Sequence, residues 1–67
     1  MKYYVNKNTQ KSGEHEMHID SCEYFPDVEN RFYLGEFFSC HAAMIVARKA
    51  YDEVDGCVYC CSPCHHR

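Results

Sequence analysis

Nine residues near the end of the chain, Cys57-Val-Tyr-Cys60-Cys61-Ser-Pro-Cys64-His65, hold four of its six cysteines and one of its five histidines. Sulfurs separated by two residues reach one tetrahedral ion, so this run constrains the fold more than any other feature. At 67 residues the chain is read as one domain, residues 1–67. A core of that size rarely contributes more than about 3–5 kcal/mol, so a staple is needed. Disulfides require an oxidising compartment. Met1-Lys-Tyr-Tyr-Val-Asn-Lys-Asn8 lacks the apolar run of a signal peptide, and no stretch has the length of a membrane span. The expectation is a cytoplasmic chain whose reduced thiols bind zinc.

Charge narrows the partners. The formal net charge is −3, or roughly −4 once three thiolates and a divalent ion are counted. The seven basic residues are scattered, with only Arg48 and Lys49 adjacent. Phosphate backbones are bound by clustered Lys and Arg, and no such stripe is present. Nucleic acid is therefore the secondary expectation, through single strands stacked on sheet aromatics.

The pattern along the chain predicts an α+β fold. Lys2–Asn6 reads as a strand, Asn8–Gly13 as a polar loop, and Glu14–Ile19 as a second strand with period two. His15, Met17 and Ile19 share one face of that strand and Glu14, Glu16, His18 and Asp20 the other. Arg31–Phe37 can add a third strand, with Gly35 marking a bend or bulge. Ser39 reads as the N-cap of a helix predicted from Cys40 to Val54. Its apolar stripe comprises Ala43, Val46, Ala47, Ala50, Tyr51 and Val54, and Asp55-Gly56 is the expected left-handed stop. A small zinc-stabilised domain follows: a hairpin packed on one helix, ending in a zinc knuckle.

Zinc joins two close pairs of ligands. Cys57-x2-Cys60 is one pair, and His18-x3-Cys22, around the end of a strand, is the other. The predicted site is His18, Cys22, Cys57 and Cys60, with His15 or Cys64 as alternatives for the fourth position. Cys60 and its neighbour Cys61 point apart, so both do not serve one ion. Cys40, Cys61, Cys64 and His65 would make a crowded second site, and Cys40 alone reads as a small buried apolar residue.

Two enzyme-like patterns carry less. Cys61-Ser-Pro-Cys64-His65 matches c-type haem attachment, and the Cys-x2-Cys pairs match redox motifs. A thioredoxin-type site places its cysteine at the start of a helix, whereas Cys57 is expected after one. Catalytic zinc needs an open position in a pocket, and Glu14 and Glu16 read as solvated surface. The expectation is a structural zinc and no enzyme. A thiol-based metal or redox sensor, using Cys40, Cys61 and Cys64, is a further alternative.

Tyr3-Tyr-Val-Asn-Lys-Asn8, Gly13-Glu-His-Glu-Met-His18, Cys22, Leu34-Gly-Glu-Phe37, Ala43, Ala47, Tyr51 and Gly56-Cys-Val-Tyr-Cys-Cys61 resemble a family of short, uncharacterised bacterial zinc-binding proteins. That resemblance covers nearly the whole chain and implies no activity. In order and spacing, His18-x3-Cys22, Ala43 to Ala50 and Gly56-Cys57-x2-Cys60 also resemble the metal-binding module of Ada-type DNA-repair proteins. There it implies a zinc scaffold alone, since the proline before Cys57 is missing, a Cys61–His65 extension follows and the charge is acidic. The aromatics Tyr3, Tyr4, Phe25, Phe32, Tyr33, Phe37, Phe38, Tyr51 and Tyr59 are many for so small a core. Some are expected at the surface, where they favour contact with another protein or a second copy of the chain.

Overall fold

The computed structural model describes residues 1–66 and has the α+β architecture read from the sequence. Strand β1 (Lys2–Thr9) and strand β2 (His15–Ile19) form the antiparallel hairpin. Its loop is closed by Gly13 N–H donating to the Gln10 carbonyl and Gln10 N–H donating to that of Glu14. Gly13 has φ +97°, which only glycine adopts without strain.

Strand β3 (Arg31–Glu36) pairs antiparallel with the outer side of β1. The register slips between Tyr3 and Tyr4, where Gly35 lies opposite with φ +128°. The bulge expected at this glycine is present. It turns the end of β3 toward the helix.

Helix α1 (Cys40–Ala50) starts at Ser39, whose Oγ accepts the Ala42 N–H at 3.3 Å. It ends four residues before the predicted Val54. Tyr51 is extended (φ −138°, ψ 142°) and its N–H closes the last turn on the Ala47 carbonyl. Val54–Gly56 forms a short strand, β4, parallel to β2, in the sheet order β3-β1-β2-β4. The open edge of β2 explains the correction. It offers backbone partners to this segment, with His15 N–H donating to the Glu53 carbonyl and Cys57 N–H to that of Met17. A β-branched residue at 54 suits a strand better than another helical turn. Gly56 is accordingly no left-handed helix stop.

One face of the sheet meets the helix. Tyr3, Val5, Met17 and Leu34 bury against Cys40, Ala43, Met44 and Ala47, joined by Val54, Cys61 and Cys64. The helical stripe is rotated from the expected one: Met44 is buried and Ala50 exposed. The other face carries Tyr4, tilted against Tyr33 and edge-on to Phe25, with the Arg31 guanidinium 4.3 Å from the Phe25 ring centre. Those aromatics and Arg31 thus satisfy one another.

Candidate metal centre

Period-two alternation puts His18 on the sheet face away from the helix, opposite Tyr4. A residue there would ordinarily be wet, yet His18 is only 2% exposed. The turn after β2 and the segment after β4 fold over it. Cys22 sits in that turn, held by its N–H donating to the Ile19 carbonyl at 3.2 Å. Cys57 follows β4 directly, and Cys60 closes the next turn, where Cys61 N–H donates to the Cys57 carbonyl at 2.8 Å. The donor atoms of His18, Cys22, Cys57 and Cys60 all lie within 4.8 Å of one another.

The separations have the scale of a tetrahedral site. Cys22 Sγ and Cys57 Sγ are 3.9 Å apart, as are Cys60 Sγ and His18 Nδ1. Zinc–sulfur bonds of about 2.3 Å imply edges of roughly 3.8 Å. The sulfur of Cys60 accepts the Ile19 amide N–H at 3.4 Å, a contact that stabilises a thiolate. On the far side of the imidazole, His18 Nε2 is 3.1 Å from Glu16 Oε1, and Gln10 Nε2 donates to Glu16 Oε2 at 2.8 Å. That pattern fixes the tautomer: Nε2 carries the proton and Nδ1 turns its lone pair toward the three sulfurs.

Burial disfavours charge on the groups of this site. Burial pushes the Cys60 thiol far above its ordinary value and raises that of Cys61. Burial also lowers the His18 pKa, against the opposing pull of Glu16. Burial alone keeps the Cys60 thiol protonated and the imidazole neutral. A divalent ion would supply the charge that lets the sulfurs ionise.

The alternative donors lie elsewhere. His15 stacks on Tyr51, with ring centres 3.8 Å apart, and its Nδ1 is 2.8 Å from the Asn6 carbonyl. Cys64 is joined to Cys40 by a disulfide spanning 24 positions. This corrects two readings: the thiols are not all free, and Cys40 is more than an apolar filler. Cys61 is free and buried, with its sulfur 3.6 Å from that of Cys60, so the two neighbours do not point apart as expected. His65 Nδ1 lies 3.0 Å from both Asp55 Oδ2 and the Gly56 carbonyl. Neither therefore joins Cys40 and Cys64; the third donor near that pair is His41.

Sequence reasoning missed Glu16 as the partner of His18, although a Glu-x-His pair on a strand places both side chains on one face. It also missed the burial of Glu14, which is only 3% exposed and accepts from the Ser12 hydroxyl. Comparison with protein-family models, curated proteins and solved structures yields no match.

Proposed function

We propose that the chain is a small, non-catalytic structural-zinc module that presents an aromatic surface to a protein partner. The observation that carries the zinc assignment is the convergence of His18, Cys22, Cys57 and Cys60 within 4.8 Å. Three sulfurs and one nitrogen suit zinc better than they suit calcium or magnesium, which take oxygen. The centre joins the end of the hairpin to the segment after β4, the two parts of the chain that a thin core holds least well.

The partner reading rests on what the ligand loops display. Tyr24, two residues after Cys22, stacks on Tyr59, which lies between Cys57 and Cys60, with ring centres 4.5 Å apart. Both rings are exposed, as is the adjoining Val58. Tyr59 also borders an open cleft of about 440 Å³ with Ile19, Ser21, Glu23 and the ligand residues Cys22 and Cys60. An ion binding both loops would fix this stack in place, so metal loading and the contact surface are linked. Exposed tyrosines on a rigid support suit protein interfaces.

The test has two arms. Elemental analysis of the full chain should find zinc, and Cys57→Ser should lose it. Affinity capture from cells of the source organism should enrich a specific protein with the zinc-loaded chain, and Tyr59→Ala should release it without losing zinc. Capture of nucleic acid that survives raised salt, with no protein enriched, would overturn the partner reading.

A further inference from the structure

The second Cys/His group lies at the opposite end of the knuckle, where the start of helix α1 meets the last turn of the chain. Cys40 is the first residue of the helix and Cys64 the last of a 3₁₀ turn, Ser62–Cys64. Both are buried, and the side chain of the neighbouring His41 is exposed. The donor atoms of Cys40, His41 and Cys64 lie within 4.8 Å of one another. The exposed His41 ring lies beside the two sulfurs, within reach of an ion they would hold.

From this geometry we infer that Cys40, Cys64 and His41 form a second, redox-gated site for a thiophilic d¹⁰ ion such as zinc, closed by the disulfide and opened by its reduction. A dithiol reductant transfers two electrons and two protons to the Cys40–Cys64 bond. The bond breaks, two thiols form, and the reductant becomes a cyclic disulfide. Each thiol then gives up its proton as a metal–sulfur bond forms, and His41 supplies the third donor. Reoxidation of the two thiolates by a disulfide oxidant remakes the sulfur–sulfur bond and releases the ion.

Three features separate this site from the first. It has three protein donors, which leaves a tetrahedral ion one open position for water or an incoming ligand. It reaches solvent through His41, whereas His18 is sealed. Its sulfurs are the pair joined in the structure, whereas Cys22, Cys57 and Cys60 remain free. The helix start favours thiolate at Cys40, because unpaired N–H groups there stabilise negative charge. A sealed first ion and an exchangeable second one would let the module take up or release metal with redox state while its fold is maintained.

The experiment uses the full chain and zinc as the probe. Protein is prepared oxidised, or reduced with a phosphine and desalted anaerobically. Bound zinc is then measured by elemental analysis, and affinity by chelator competition. The reduced chain should hold one more zinc ion than the oxidised chain. Cys40→Ser should abolish that extra ion. His41→Ala, a surface change that leaves fold and disulfide intact, should weaken it roughly tenfold or more. Equal zinc content in the two states, or an extra ion indifferent to Cys40→Ser and His41→Ala, would overturn the inference. Failure of the first site reads differently: the oxidised chain would then hold no zinc, and loading of the reduced chain would survive Cys57→Ser.

Discussion

Glu16 is placed to govern the proposed ion without touching it. Its carboxylate meets His18 Nε2 at 3.1 Å, which orients the ring and raises the basicity of the nitrogen facing the sulfurs. Glu16→Gln keeps the shape and removes the charge, so zinc affinity should fall about 10–100-fold with the fold retained; chelator competition and circular dichroism check the two halves. His18 also sets a pH dependence. Burial depresses its pKa in the folded state, so below about 6.5 the unfolded chain takes up a proton that the folded chain does not. Its contribution is fully present above that pH and is lost as pH falls through it toward the lower folded value. A bound ion acts in the same direction, because it requires the unprotonated nitrogen. The urea midpoint of the zinc-loaded protein should therefore fall between pH 7.5 and 5.5, and a midpoint that rose would contradict the burial of a neutral His18.

Among the elements, β4 positions most and was least legible. Its three residues place Cys57 beside the end of β2, and Gly56 lets the following turns fold back against it. A Cβ on Gly56 would lie 2.7 Å from the Cys61 carbonyl oxygen and 2.9 Å from Cys64 Cβ. These are backbone neighbours or atoms fixed close to it, so relief requires the knuckle to move. Gly56→Ala should destabilise the protein by about 1–3 kcal/mol, read from thermal melts, and weaken zinc binding with it. Gly56 was visible in the sequence for the wrong reason. Asp-Gly after a helical pattern looks like a helix stop, whereas its role is close approach in a strand. The β2 hairpin strand was legible because its alternation extends over several residues, and the start of α1 because Ser39 offers a cap. A three-residue parallel strand has no periodicity of its own; its partner is an edge that exists only after the hairpin folds. The same limit applies to the site. Cys57-x2-Cys60 is local and could be read directly, whereas the choice of His18 over His15 depended on which face the knuckle covers, and the Cys40–Cys64 pairing on where a helix start meets a distant turn.

On the scale of the molecule, the disulfide and the proposed zinc would reinforce one thin core with different strengths. The disulfide joins residues 24 positions apart, worth about 3–4 kcal/mol by loop-closure entropy. Structural zinc in small domains contributes roughly 10–16 kcal/mol of apparent binding free energy. The helix side of the core buried between sheet and helix consists of Cys40, two alanines, Ala43 and Ala47, and Met44, so the core's own share is small. On the proposed reading the ion would be the decisive term and the disulfide the auxiliary one. Chelation of the oxidised chain should collapse its NMR dispersion although the Cys40–Cys64 bond persists. Reduction of the zinc-loaded chain should leave the dispersion in place. The opposite pair of outcomes, an apo-protein that stays folded while oxidised and a zinc-loaded one that unfolds when reduced, would make the disulfide the principal staple. It would also remove the basis for a redox-gated site, since opening the Cys40–Cys64 bond would then cost the fold that brings His41 to it.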